Sequence, residues 1–242
     1  MSLESQISEL VTVNNKLVEY FNGKKAAIDA AVSAAVAAAP QITRVLYVDQ
    51  AAGSDDNLGT TASPFKTIQR AVDVTPAGGR CEVWLMSDYT LAGHVRLYGH
   101  KILVRGEETK GRRLILNEFL PDGSDSLPRI GCFWHSSASS VELSNLTLVF
   151  PNSSAEVSNY CALTISSGST SPTISSLRLH TCGFEMRGTY RGRLIGPETS
   201  LVALAVYNTA LPAAFAGRIV PGVAAGTESK TLSHVITNLS TL

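Results

Sequence analysis

Apolar residues follow two different periods along this chain of 242 residues. Over residues 3–39 they recur in steps of three and four, which is typical of one face of an α-helix. From residue 41 onward they form short runs of Val, Ile and Leu separated by Gly, Asn, Pro and Ser, which is typical of strands and turns. The sequence therefore predicts a long helix followed by a mainly β domain.

The predicted helix carries a heptad pattern. With Ile7 at position a, the a and d positions are mostly apolar, and Asn14 and Lys24 are the polar members. An Asn at an a position is typical of a coiled coil whose amide groups fix the register. We therefore predict that residues 1–39 form a coiled-coil oligomerisation segment ended by Pro40; an amphipathic helix packed on its own domain is the alternative. The predicted oligomerisation residues are Leu3, Ile7, Leu10, Asn14, Leu17, Phe21 and Ile28.

A weak repeat of apolar positions runs through the β-rich part. The pattern apolar-x-x-apolar-x-apolar begins at Leu143, Ile174 and Leu201, with a partial copy at Leu232, so the starts are 31, 27 and 31 residues apart. This spacing is typical of stacked solenoid coils, each of which buries a strand face against its neighbours. We predict a short parallel β-solenoid. A sandwich or barrel of antiparallel strands is the alternative, although Asn-Gly and Asp-Gly hairpin turns are scarce.

The stretch "YVDQAAGSDDNLGTTASPFKTIQRAV" (47–72) predicts a strand, a turn and a helix. The turn residues satisfy their own backbone or permit positive φ. Ser63 and Pro64 predict the start of the helix, and the next apolar residues form one stripe. We predict that residues 40–80 cap the first coil of a β domain that covers residues 81–242. The predicted cap residues are Asp49, Asn57, Ser63, Pro64, Phe65, Ile68 and Val72.

The acidic residues in the same stretch allow a second interpretation, a calcium site. Asp55, Asp56 and Asn57 invite comparison with an EF-hand loop. That loop needs alternating oxygen ligands and a glutamate at its twelfth position, whereas Lys66 stands there in this chain. We expect turn residues here, and neither a metal nor a cofactor.

The stretch also resembles a known family. The motif YVDxxxGSDxNxGTxxxPFKTIQRAV is similar to the segment that opens the right-handed parallel β-helix (pectin-lyase-like) domain of bacteriophage tail fibres and tailspikes, and "LVEYFNGKKAAIDAAVSAAVAAAP" (17–40) resembles their helical N-terminal stalk. The resemblance covers residues 1–90. It implies a homotrimer that attaches to other tail or baseplate proteins through its N-terminal region and binds bacterial surface polysaccharide. The heptads alone favour two strands, because Ile at a with Leu at d suits a dimer.

Composition excludes several function classes. Lys and Arg number 20, as do Asp and Glu, so no net field attracts nucleic acid or anionic lipid. The N-terminal sequence lacks a basic segment followed by an apolar core, so we expect neither a signal peptide nor membrane insertion. The four cysteines are widely spaced without a C-x-x-C pair, and we predict free, buried thiols.

Catalytic candidates are weak, and we predict no catalytic residues. Glycoside hydrolysis uses two carboxyl groups, and Glu142 with Glu185 is the pair that flanks the predicted repeat strands; we expect solvated surface carboxylates instead. Trp84 and Trp134 can stack on sugars, but their apolar strand runs favour core packing. The segment "RGTYRGR" (187–193) is expected to be a solvated loop.

These patterns predict a phage tail protein, a fibre or a fibre-base adaptor, made in the bacterial cytoplasm and carried in the virion. We expect it to be homotrimeric, non-enzymatic and involved in host attachment. A polysaccharide depolymerase is one alternative. A connector that docks another fibre without binding glycan is the other.

Overall fold

A computed structural model describes residues 2–38, 42–121, 126–136, 138–166, 174–197 and 200–242. The chain divides into two compact units, Met1–Pro40 and Gln41–Leu242. The first unit is helical and the second is mainly parallel β-sheet. The fold class is therefore a long N-terminal helix and a β-rich domain, as the change of period predicts.

The first unit contains the helix α1 (Leu3–Ala38). It confirms the predicted helix as far as Ala38, whereas position 39 and the stop at Pro40 lie outside the described residues. The apolar residues of the heptad seam are exposed, from 50% at Leu17 to 72% at Leu3. Asn14 is exposed as well.

Three parallel sheets make up most of the second unit, and we name them sheets A, B and C. Sheet A contains β1 (Thr43–Val48), β2 (Arg80–Leu85), β5 (Lys101–Arg105), β10 (Ser140–Ser144), β13 (Ile174–His180), β16 (Leu201–Tyr207) and β17 (Val235–Thr237). Sheet B contains β3 (Tyr89–Leu91), β6 (Arg113–Leu116), β11 (Thr147–Phe150) and β14 (Gly183–Met186). Sheet C contains β4 (His94–Arg96), β9 (Cys132–His135), β12 (Ala162–Ser166) and β15 (Arg193–Ile195).

The remaining elements are short. They are the antiparallel pair β7 (Glu118–Phe119) and β8 (Arg129–Ile130), the helix α2 (Ile68–Asp73), and two 3₁₀ turns, Ala213–Phe215 and Ser229–Thr231.

After β1, the described chain passes through the sheets in the order A, B, C four times. Neighbouring strands of a sheet are therefore one full passage apart in the chain, and they pair in parallel. Parallel pairing in register places equivalent side chains of successive passages in rows. The rows alternate between a buried and a more exposed face.

One inward row of sheet A shows how the core is built. Its members are aliphatic, are at most 7% exposed, and occupy equivalent positions on six paired strands. Burying a side chain of this size contributes about 1.5–3 kcal/mol to stability. The row consists of Leu46, Val83, Val104, Leu143, Leu179 and Val206.

The strand register corrects part of the predicted repeat. Ile174 pairs with Leu201, so the second and third copies are aligned as predicted. The first copy is misaligned, because Leu143 pairs with Leu179 and not with Ile174. The last copy is also out of register. Insertions of different length between strands hide the true period from a simple count of residues.

The predicted helix start at Ser63 and Pro64 is wrong. α2 begins at Ile68, and Thr67 is its N-cap, whose hydroxyl accepts a hydrogen bond from the backbone N–H of Arg70. A threonine in this position satisfies one of the N–H groups that a helix start leaves unpaired.

The backbone of Phe65 explains the later start. Its N–H donates to the carbonyl of Tyr47 at 2.9 Å, and its carbonyl accepts from the N–H of Asp49 at 2.8 Å. These bonds hold the segment extended beside β1, so the helix cannot include it. The predicted apolar stripe is nevertheless buried, with Phe65 at 2% exposure and Ile68 and Val72 at 0%.

The four cysteines are free and buried, as predicted. Burial raises the pKa of the Cys161 thiol to about 11, which keeps it protonated near neutral pH. Within the described residues, no helix has both the length and the apolar character needed to cross a bilayer.

Candidate functional site

The first acidic residue after β1 is a hydrogen-bond acceptor for the loop. Oδ1 of Asp49 accepts from the backbone N–H groups of Ala51 and Ala52 at 3.0 and 3.1 Å. It also accepts from the Ser87 hydroxyl at 2.8 Å, and this hydrogen bond is the largest cause that lowers the pKa of Asp49. The carboxylate therefore ties the end of β1 to the residues after β2.

Asp55 and Asn57 also bind the backbone of the loop. Asp55 accepts hydrogen bonds from the N–H groups of Lys66 and Thr67 at 3.0 and 2.9 Å, and the Asn57 amide donates to the Pro64 carbonyl at 2.8 Å. These contacts agree with the turn interpretation. Within the described ranges, His, Cys, Asp and Glu form no group of three or more that is placed to hold a metal ion.

The two carboxylates considered for hydrolysis lie on different sheets. Glu142 projects from β10 in sheet A and binds Arg178 at 3.0 Å and Arg80 at 3.7 Å. Glu185 lies on β14 in sheet B, and both of its oxygens accept from Nη2 of Arg113, at 2.7 and 2.6 Å. Each carboxylate therefore has its own arginine partners on its own sheet.

Trp84 faces outward from β2, so its predicted core position is wrong. Its side chain is half-buried, and its indole N–H donates to Glu82 at 2.9 Å. The guanidinium of Arg105 lies 4.1 Å from the indole centroid and binds Glu82 at 3.3 Å. On sheet A, Glu82 therefore binds both the indole of Trp84 and the guanidinium of Arg105.

Trp134 also faces outward, from β9 in sheet C, so its predicted core position is wrong as well. Successive side chains of a strand point to opposite faces. Phe133 and His135 are 0% exposed, whereas Trp134 between them is half-buried. The His94 ring meets the indole edge-on at 5.1 Å and meets Phe119 at 5.0 Å.

Two arginines complete this surface. The guanidinium of Arg96 lies 5.3 Å from the Trp134 ring centroid, and that of Arg129 lies 4.8 Å from the Tyr160 centroid. A small buried cluster of Cys132, Ala162 and Ile165 supports the aromatic rings. We call this surface the sheet C patch, and it consists of His94, Arg96, Phe119, Arg129, Trp134 and Tyr160.

The charge of the sheet C patch comes from its arginines. Burial, and then the positive charges of Arg129 and Arg96, lower the pKa of His94 to about 4, so the imidazole is neutral near pH 7. Its Nδ1 lies 3.0 Å from Sγ of Cys132, and burial raises the pKa of that thiol well above its usual range. Because a nucleophilic cysteine must be a thiolate, this pair is a packing contact.

A pocket of about 330 Å³ opens beside the sheet C patch. It joins the end of β4, the turn after it, and the outer face of β9. We call it the sheet C pocket, and its lining residues are Arg96, Leu97, Tyr98, Trp134 and Ser136. The sequence prediction missed this site because its two halves are far apart in the chain. The available signal is the alternating direction of side chains along a strand, which places Trp134 on the face opposite to Phe133 and His135.

The segment 187–193 is only partly the solvated loop that the sequence predicts. Tyr190 is 2% exposed and packs against Phe150 and Phe215 with centroids at 4.8 and 5.7 Å. Its hydroxyl donates to the carbonyl of Arg193 at 3.1 Å. Arg187 and the neighbouring Arg191 are exposed.

Comparison of this chain with protein-family models, curated proteins and solved structures finds no match. Function is therefore inferred from the residues and their geometry.

Proposed function

We propose that this chain is a structural virion protein of a phage tail, either a fibre or an adaptor at a fibre base. In this proposal it assembles as a homotrimer and contributes to host attachment. The virion assignment and the number of copies rest on the resemblance of residues 1–90 to tail-fibre stalks and β-helix openings. The observation that carries the assembly is the exposed apolar seam of α1.

The seam is long enough to hold several copies together. A helix of 36 residues extends about 54 Å. Phe21 and Ile28 are each 61% exposed, although both occupy core positions of the heptad pattern. Burying such side chains contributes about 1.5–3 kcal/mol each, and parallel copies of α1 supply the missing surface.

We further propose that the β-rich unit is a right-handed parallel β-helix. The repeated order of sheets A, B and C supports a coil, and parallel crossovers are right-handed in the great majority of proteins. The corner after sheet A repeats as well, because Asn145, Thr181 and Asn208 all have left-handed φ, at 54°, 53° and 46°. The N–H of Asn145 donates to His180, and that of Thr181 donates to Tyr207, so successive corners are linked.

In this proposal, α2 and the loop before it cap the first coil. Ile68 and Val72 are fully buried in the main core. The N–H of Tyr47 donates to the carbonyl of Gly59 at 2.8 Å, so the loop also pairs with the outer edge of β1. An uncovered edge strand invites pairing with other chains, and this loop protects part of that edge.

Light scattering on the full-length protein tests the assembly. The expected mass is three times the 25.7 kDa of one chain. A stable monomer contradicts the assembly. Immunogold labelling of intact particles tests the location: label on the tail is expected, and label confined to host cytoplasm contradicts a virion role.

Incubation with capsular or O-chain polysaccharide separates the attachment role from the two alternatives. An adhesin binds the polysaccharide and leaves its length unchanged. A depolymerase generates new reducing ends or unsaturated sugars, and Glu142→Gln and Glu185→Gln then test the carboxylate pair. A connector does not bind the polysaccharide.

A further inference from the structure

We infer that the sheet C pocket is a binding site for a carboxylated saccharide, with a sugar ring on Trp134 and Tyr98 and its carboxylate on Arg96. This inference deepens the proposed attachment role and rests on it. It identifies both the site and the chemical class of the ligand. Three observations support this inference: the backbone of Tyr98, the contrast between the two outward tryptophans, and the charge around Arg96.

The backbone at Tyr98 is unfavourable for the residue that it carries. Tyr98 and Gly99 have φ of 41° and 83°, and the N–H of His100 donates to the carbonyl of Leu97 at 2.7 Å, so these residues form a tight turn with two left-handed positions. Gly, Asn and Asp suit such positions, whereas a tyrosine is strained. Strain of this kind concentrates at binding sites.

Among the described residues, the Tyr98 side chain makes no hydrogen bond, ion pair or ring contact that offsets this strain. Its side chain is 60% exposed, and the residue nonetheless lines the pocket. The turn is fixed next to the indole, because the N–H of Leu97 donates to the carbonyl of Trp134 at 3.1 Å. The Gly99 N–H donates to the Ser139 hydroxyl at 3.1 Å. The turn is therefore held against β9, and the exposed Tyr98 lines the same pocket as Trp134.

Trp134 differs from the other outward tryptophan in what surrounds it. At Trp84, Glu82 accepts the indole N–H and neutralises Arg105, so the acidic partner is already present. At Trp134, the nearby guanidinium of Arg96 has no carboxylate within ion-pair distance among the described residues. The two surfaces share a tryptophan and an arginine, and among the described residues the acid is present beside Trp84 and absent beside Trp134.

The surroundings of Arg96 favour an anionic ligand. Burial, and then the charges of Arg129 and Arg96, keep the His94 imidazole neutral, so this ring adds no positive charge beside Arg96. A guanidinium binds a carboxylate through two parallel hydrogen bonds, and these are stronger than neutral ones. The pocket volume of about 330 Å³ lies within the range of small-molecule sites, about 300–1,000 Å³. Two aromatic side chains beside an arginine that has no carboxylate partner in the described part of the chain fit a sugar that carries a single carboxylate.

Binding to matched oligosaccharides tests this inference. The probes are 3′-sialyllactose, a glucuronate-containing tetrasaccharide, and the carboxyl-reduced form of each, measured by calorimetry with the full-length protein. At least one carboxylated probe is expected to bind about tenfold or more tightly than its reduced form. Its affinity is expected to fall as salt is added, because salt screens charges at an exposed site.

Variants of the exposed residues Arg96 and Tyr98 keep the test independent of folding. Arg96→Gln is expected to remove the preference for the carboxylated probe. Tyr98→Asn, which suits the left-handed backbone, is expected to lower affinity about two- to tenfold without loss of stability. Trp134→Ala is expected to lower the affinity similarly, and Trp84→Ala is the matched control that leaves it unchanged.

Three binding results would overturn the inference. Equal binding of carboxylated and reduced probes removes the role of Arg96. Failure of every carboxylated probe to bind removes the site, and so does a normal affinity in Arg96→Gln and Tyr98→Asn. A trimer that binds capsular polysaccharide but none of the carboxylated probes leaves the proposed attachment role standing. A monomer that binds a carboxylated probe with the expected preference supports the sheet C pocket and contradicts the proposed trimer.

Discussion

The carboxylate of Asp55 accepts two hydrogen bonds from Thr67, one from its backbone N–H at 2.9 Å and one from its hydroxyl at 2.9 Å. Thr67 is also the N-cap of α2. Asp55 therefore orients the residue that caps the helix, and its carboxylate joins the loop to the start of α2.

Replacement of Asp55 by Ala is expected to destabilise the β-rich unit. Hydrogen bonds to a charged acceptor contribute about 1.5–3 kcal/mol, and this change removes several at once. Chemical denaturation gives the free energy of unfolding. Asp56→Ala is the control, since the Asp56 side chain is exposed, and it is expected to have little effect. Stabilisation of the parent by added calcium, lost in Asp55→Ala, contradicts this account.

A charge in the seam of α1 is expected to dissociate the oligomer. Leu17 occupies a d position, and an aspartate there places a charge between the copies of α1. Light scattering on Leu17→Asp is expected to give the mass of one chain. Asn15→Asp adds the same charge outside the seam and is expected to retain the oligomer. Equal masses for the two variants exclude this seam as the interface.

Acid is expected to destabilise the β-rich unit. Burial lowers the pKa of His135 from 6.5 to about 4, and its Nε2 has no hydrogen-bond partner among the described residues. The unfolded chain therefore binds a proton more readily than the folded chain. Stability is fully present above about pH 6.5 and falls as the pH drops toward 4, by up to about 3 kcal/mol for this histidine. His94 contributes in the same direction.

Denaturation curves between pH 4 and 7.5 measure this dependence. His135→Asn is expected to flatten it, because the variant has no proton to gain at this position. Leu58→Ala, which changes a 78% exposed side chain without a titratable group, is the control and is expected to keep the parent slope. An unchanged slope in His135→Asn assigns the acid sensitivity to other groups.

Truncation of the aromatic cluster in the core is expected to be severe. Phe150 is fully buried, with ring centroids 4.8 Å from Tyr190 and 5.2 Å from Phe215. Phe150→Ala is expected to cost about 3–5 kcal/mol, since it leaves a cavity and removes these contacts. Leu58→Ala is the control, because Leu58 is 78% exposed. Its expected effect on the free energy of unfolding is within about 0.5 kcal/mol.

Local signals predicted the parts of the fold that depend on local physics. The heptad spacing predicted α1, because side chains three and four residues apart share a helix face. Residue types predicted the turn after Asp49, where short polar side chains bond to nearby backbone. The repeat that begins at Ile174 and Leu201 aligned β13 with β16 correctly, because the two strands pair at these starting residues.

Contacts between distant segments decided the rest. The start of α2 moved to Ile68 because Phe65 pairs with β1, a contact that no local pattern of residues 63–68 indicates. Trp84 and Trp134 lie in apolar runs, yet the alternation of their strands places them outside.

The candidate site is likewise a product of the tertiary structure. The sequence by itself determined which residues can form a helix, a strand or a turn, because those preferences act over a few residues. The parallel pairing of β4 with β9 brings Arg96 opposite Trp134. The turn that contains Tyr98 then completes the sheet C pocket. The physical reason is register: strand pairing joins residues that the chain itself keeps far apart.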